Sequence, residues 1–164
     1  MIFDKKGVSS LNIDNEILEL IAKQIHKEYN RIQKERNPKS NLEYPTWESL
    51  PEYLKNSNLK QAERINEKLS HIGCYIALKN SDNEYVLTEE DVEKLAELEH
   101  QYWMNERKEN GWTFDSVKKT SERKTPYFVP YELLEENIKE LDRDTIRSIP
   151  RTLKVNGLIV CKKK

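Results

Sequence analysis

His100, Trp103, Arg107 and Trp112 fall within residues 98–114, LEHQYWMNERKENGWTF. They bring together an imidazole donor, two flat π faces and a fixed cation. Such a set can stack on a planar ring and neutralise an anion with no cofactor. His100, Met104, Arg107 and Gly111 recur at i, i+4, i+7 and i+11, so they share one face of a helix. Trp103 falls instead on the stripe of Val92, Leu95 and Ala96, and that periodicity reads first as core. Trp112 follows a glycine break, where an indole can pack or stay partly open and stack on a ligand. His100 carries two readings, a single structural hydrogen bond or a donor to a ligand. The following loop, DSVKKTSERKTPYF, holds Lys118, Lys119, Arg123 and Lys124. A charge run is ordinarily a solvated loop; this one, set between an aromatic break and YFVP, can also fold over a phosphate.

These side chains need elements to hold them. Residues 13–36 repeat apolar groups at helical spacing and end at Asn37-Pro38. Residues 59–72 predict a second helix with Asn58 as N-cap and Gly73 as stop. CYIAL, 74–78, reads as a strand, NSDN, 80–83, as a turn, and EYVL as the returning strand of a hairpin. Thr88 with Asp91 marks the start of a helix over 89–109. Residues 113–126 read as a polar loop. A helix over 143–156 is expected, capped by Asp142 and stopped by Gly157, with Pro150 forcing a kink or a late start. LIVC, 158–161, closes the chain as a strand.

The chain also aligns with itself. Residues 46–74 match 130–158 at an offset of 84 without a gap: Trp47 meets Tyr131, Leu50 meets Leu134, Asn58 meets Asp142 and Gly73 meets Gly157. Ala62, Ile65 and Leu69 meet Ile146, Ile149 and Leu153. Upstream, residues 21–30 match 95–104 at an offset of 74, so that His26 meets His100 and Tyr29 meets Trp103. A histidine kept at the same place in both copies favours a scaffold role for His26. The expected fold is α+β, mainly α: two pseudo-twofold-related helix-loop-helix-strand repeats around one core, with CYIAL and LIVC adjacent in a small antiparallel sheet. The whole chain, 1–164, reads as one domain, with a degenerate first repeat over 11–80 and a second over 88–164. Trp47 and Tyr131 are expected to pack where the halves meet.

Composition narrows the function. Lys and Arg number 28 and Asp and Glu 29, a net charge of −1, so no global basic field favours nucleic acid. No apolar run approaches membrane-spanning length, and the N-terminal MIFDKKGVSS has no signal-peptide layout. Two cysteines, Cys74 and Cys161, both in apolar runs, read as buried thiols of a cytoplasmic protein. There is no Gly-rich phosphate loop, nucleophile elbow or metal-spaced His/Cys set. Glu99 beside His100 points elsewhere on the helix, so the two make a poor acid–base pair.

From Leu95 to Val160 the sequence resembles the ryanodine receptor (RyR) repeat, as prokaryotic and phage members carry it. The resemblance rests on LAELEHQYWMNERKENGWTF, on Lys124 and Pro126, on VPYELL and on DRDTIRSIPRTLKVNGL. TWESLPEYLKNSNLKQAERINEKLSHIGC resembles the segment that precedes the repeat in such members. Two departures stand out: Asn37-Pro38 occupies the place of Gly111-Trp112 in the first half, and Asp115 follows GWTF where the family often has Gly. The resemblance implies a small α+β ligand-sensing or interaction module and no enzyme. In animal calcium channels a paired-repeat cleft is associated with adenine nucleotides. In bacteria the repeat accompanies nucleotide-signalling and defence proteins.

The expected ligand is therefore a small, flat, nucleotide-derived anion, and the protein a sensor or a sequestering protein. Its site would comprise His100, Trp103, Arg107, Trp112, Phe114, Arg123, Lys124 and Tyr127. Trp112 and Phe114 would stack on the base, while Arg107, Arg123 and Lys124 met phosphate. No cofactor, metal, membrane or nucleic acid is expected; a protein effector and a second copy of the chain are further candidate partners. The competing reading is a protein-interaction scaffold with no small ligand.

Overall fold

The computed structural model describes residues 2–3, 9–10, 13–41, 43–81 and 83–164. Residues 11–12 at the start of the expected first repeat, much of the N-terminal stretch, and Asp82 of the 80–83 turn lie outside the described residues. The structure is mainly helical, with a small antiparallel sheet, so the fold is α+β and mainly α. The chain divides into two compact units, residues 1–87 with 147–164 and residues 88–146.

In the first unit, β1 (Ile2–Phe3) and β2 (Ser9–Ser10) pair antiparallel. Helix α1 (Asn15–Arg36) starts where the Asp14 carboxylate accepts the Ile17 N–H at 2.9 Å, relieving one orphan donor. Helix α2 (Glu52–Ser70) begins directly after Pro51, seven residues before the expected cap at 58. Asn58 is therefore inside the helix, its amide donating back to the Leu54 carbonyl at 2.9 Å. Proline has no N–H to satisfy, so it suits a helix start, and this outweighed the capping preference of asparagine.

Strand β3 (Cys74–Leu78) pairs antiparallel with β6 (Leu158–Lys162), from Cys74 opposite Lys162 to Leu78 opposite Leu158. Gly73 and Gly157, the residue before each strand, take φ of +70° and +73°. The expected hairpin return is corrected. Residues 84–87 form no strand, and Glu84 makes a single antiparallel bridge to Cys161 on β6 instead of turning back on β3. Leu158, Ile159, Val160 and Cys161 are all buried, the pattern of a strand covered on both faces. Helix α5 (Ile149–Val155) precedes β6, with Pro150 in its first turn. Ile21, Ala22, Ala62, Ile65, Leu69, Ile149 and Leu153 form the core of this unit. The buried Glu28 carboxylate accepts from Arg31 Nε at 2.9 Å and Gln24 at 3.1 Å, and pairs with Arg151 Nε at 3.2 Å, tying α1 to α5.

In the second unit, α3 (Glu89–Glu109) opens with a complete capping box: Thr88 Oγ1 accepts from Asp91 N and the Asp91 carboxylate accepts from Thr88 N. The stretch 113–126 is more than a loop. β4 (Thr113–Phe114) runs parallel to β5 (Lys124–Thr125), with a 3-10 turn at 120–122 between them. A second 3-10 turn at 131–133 leads to α4 (Glu136–Arg147). The helix expected over 143–156 thus starts earlier and is split at Ser148, because Pro150 cannot continue the α4 hydrogen-bond ladder. Asp142 lies within α4 and is not its cap. Arg143 holds this unit together, reaching Glu93 of α3 at 2.7 Å and Glu136 and Glu140 of α4 at 2.8 and 3.1 Å. It holds the Glu93 and Glu136 carboxyls below their usual range, chiefly through those hydrogen bonds.

The two expected caps give a direct test. Thr88→Ala should destabilise the protein by about 1 kcal/mol in chemical denaturation. Asn58→Ala, a helix-interior change, should stay within about 0.5 kcal/mol of wild type or gain stability. Equal losses at both positions would contradict the assigned helix starts.

Candidate functional site

The C-terminus of α3 builds the site. Its last turn ends in Asn110, and Gly111 follows with φ +76°. The Gly111 N–H reaches the Lys108 carbonyl at 3.0 Å and the Trp112 N–H reaches the Arg107 carbonyl at 3.0 Å. This paired closure is a Schellman motif, and it folds the residue after the glycine back onto the helix one turn earlier. That residue is Trp112, and it lands on Arg107. The guanidinium carbon lies 4.8 Å from the Trp112 ring centroid and 5.8 Å from that of Trp103. One cation is thus held by two indoles.

Trp103 is set from beneath. Its ring stacks on His100 at 5.7 Å with 16° between planes, and meets Phe128 edge-on at 5.7 Å. His100 is only 2% exposed. Its Nε2 donates to the Val129 carbonyl at 2.8 Å, its Nδ1 lies 3.7 Å from the Asp142 carboxylate, and Tyr131 tilts against it at 6.2 Å. Burial pushes the imidazole pKa down, and the bond to Val129 offsets part of that. Burial also pushes the Tyr131 phenol up to about 12, so it stays protonated.

The basic loop is largely neutralised from within. Lys124 pairs with Glu122 at 2.8 Å and approaches Asp115 at 3.9 Å, and Lys119 meets the same Asp115 at 3.4 Å. Glu122 accordingly raises the Lys124 pKa. Arg123 takes a left-handed conformation, φ 53°, and donates to the Asn110 carbonyl at 2.9 Å, closing the end of α3. Phe114 is 59% exposed on β4, and Tyr127 is half-buried, its N–H donating to Thr125 Oγ1. Of the eight residues expected to form the site, Trp103, Arg107 and Trp112 converge, and His100 underlies them. Arg123 and Lys124 are engaged elsewhere. Sequence reasoning missed Phe128, whose signal was the apolar YFVP run after Pro126.

Arg107 differs from its basic neighbours. Among the described residues its side chain makes no hydrogen bond and no ion pair; its partners are the two indoles. Both indoles lie within 6 Å of its guanidinium carbon, and its N–H donors have no acceptor among the described residues.

Residues 86–162 match the family model of the RyR domain. This segment is a RyR domain. It spans somewhat under half of the chain and contains every residue just described. The geometry explains what the RyR motif encodes here. Leu95 and Ala96 are core, His100 locks the helix to the chain at Val129, Trp103 rests on that histidine, and Gly-Trp is the helix stop that seats the second indole. No helix among the described residues is long and apolar enough to cross a membrane.

Two outcomes follow for the RyR segment. Gly111→Ala should cost about 1 kcal/mol or more, because alanine is strained at this φ, and should alter Trp112 fluorescence. The lowered His100 pKa means folding favours its neutral form. Stability from this group should be full above about pH 6.5 and decline as pH falls below that, ahead of the carboxylates, whose loss begins below about 4.5. A His100→Gln protein should lack the upper phase in a pH series of thermal melts.

Proposed function

We propose that the RyR domain is a non-catalytic binding module for a small, flat, anionic, nucleotide-derived molecule, such as an adenine nucleotide or a cyclic nucleotide. The observation that carries this reading is Arg107, a half-buried cation close to two indoles, whose side chain has no acceptor among the described residues. The ligand's anionic group meets the edge of Arg107, and its base stacks on Trp112, with the exposed Phe114 as a further aromatic face. A charge-assisted hydrogen bond contributes about 1.5–3 kcal/mol and base–aromatic stacking about 1–3 kcal/mol. Together they contribute about 2.5–6 kcal/mol and require no cofactor. Lys124 and Arg123 play a smaller part, since binding a phosphate would require them to leave Glu122 and the Asn110 carbonyl. The role is that of a sensor or a sequestering protein in the cytoplasm, a compartment in keeping with the buried thiols of Cys74 and Cys161.

One observation favours a protein partner instead. Phe114 and Val117 are each 59% exposed in the same loop, and apolar side chains at a loop tip suit a docking contact.

The test is mass spectrometry of what the purified protein releases on heating, followed by thermal shift against nucleotides and cyclic nucleotides. A ligand at a hundredfold its Kd adds about 2.7 kcal/mol of stability. Arg107→Gln and Trp112→Ala should each weaken binding about tenfold or more while the protein stays folded, and Lys124→Ala should weaken it less. Undiminished binding by Trp112→Ala rejects this site, and no response across the panel moves the reading to the protein partner.

A further inference from the structure

The cations of the RyR loop are not equally available to a ligand. The Thr113 N–H donates to the Arg123 carbonyl at 2.9 Å and the Asp115 N–H to the Thr125 carbonyl at 3.1 Å, so residues 113–115 run extended beside β5. Side chains alternate along an extended segment, which sets Trp112 and Phe114 on one side and Thr113 and Asp115 on the other. Asp115 in turn collects the lysines: Lys119 lies 3.4 Å and Lys124 3.9 Å from its carboxylate. Both are therefore drawn to the side away from Trp112 and Phe114.

Glu122 holds Lys124 as well, at 2.8 Å, and Asp115 is itself fixed, its Oδ1 accepting the Val117 N–H at 3.2 Å. Arg123 is bound to the Asn110 carbonyl at 2.9 Å. Lys108 and Lys118 are exposed, and a strongly hydrated ammonium is a weak anchor. The cation beside the indoles is the single guanidinium of Arg107. A phosphodiester carries one negative charge, a phosphomonoester about two at neutral pH, and a polyphosphate more. Each further charge has to take a lysine from Asp115 or Glu122, and the carboxylate left behind repels it.

We infer that this site selects a flat ligand whose anion is a singly charged phosphodiester, as in a cyclic mononucleotide, over phosphomonoesters and polyphosphates, and that Asp115 and Glu122 set the selectivity. This rests on the binding-module reading of the RyR domain. Neither carboxylate touches the ligand. They act by keeping Lys119 and Lys124 occupied, so that discrimination comes from a penalty on the wrong ligand as well as from contacts to the right one.

Titration calorimetry of the full chain with cyclic AMP and cyclic GMP, AMP and GMP, and ATP and GTP tests this, in EDTA so that the triphosphates keep their full charge. The cyclic nucleotides should bind tightest, and the triphosphates should bind at least about tenfold more weakly. A Glu122→Gln, Asp115→Asn double variant should narrow that gap to about threefold or less by strengthening triphosphate binding, with cyclic-nucleotide binding unchanged. Triphosphates that match the cyclic forms on the wild type overturn the selectivity; the binding module then stands if Trp112→Ala weakens them all, and falls with it otherwise. A gap that the double variant leaves intact overturns the role of Asp115 and Glu122. No binding by any of these nucleotides overturns both the selectivity and the reading beneath it.

Discussion

The buried hydrogen bond from His100 to the Val129 carbonyl is the contact on which the RyR site depends. It spans 29 residues and fixes the far side of the basic loop to the middle of α3. A buried imidazole left without its acceptor would bear the full desolvation penalty, so the bond is costly to break. By holding one ring in place it also sets the height of Trp103, which stacks on it, and of Phe128, which follows the chain to Trp103's edge. The chemistry that faces outward is thus built on a polar contact that faces inward.

On this base the helix terminus does the rest. A single left-handed glycine turns the chain so that the next side chain covers the last turn, and here that side chain and its target are an indole and a guanidinium. The same terminus takes Arg123 as a cap for its open carbonyl. Two arginines sixteen positions apart thus divide the work: one completes the scaffold, and the other is oriented by it.

Much of this was legible in the sequence where the signal was local. The capping box at Thr88, the glycine stops, and strands β3 and β6 stand where the residues placed them. Asn58 and Asp142 misled together, because both carry a cap's side chain inside a longer helix whose start was set by the residues ahead of it. Strands β4 and β5 are two residues long and owe their pairing to the backbone at Arg123, which no periodicity announces. Within the site, the seating of Trp112 on Arg107 follows from Gly-Trp after a helix. The stripe that assigned Trp103 to the core was half right, since one side of it is occupied by His100 while the ring remains half-exposed. The neutralisation of Lys124 was hidden because Glu122 and Asp115 reach it only once the loop has folded back.

The pairing of β3 with β6 has a consequence for how the protein is made. The first unit is discontinuous: its sheet joins residues 74–78 to residues 158–162, across the whole of the second unit in sequence. As the chain emerges from the ribosome, residues 88–146 are complete and free to fold while β3 still lacks its partner. β3 must wait, its ladder groups unpaired and Ile76 uncovered, until residues 158–162 have been synthesised. The interval is when this protein is most open to wrong strand pairing, and a ribosome that stalls between the two strands would prolong it.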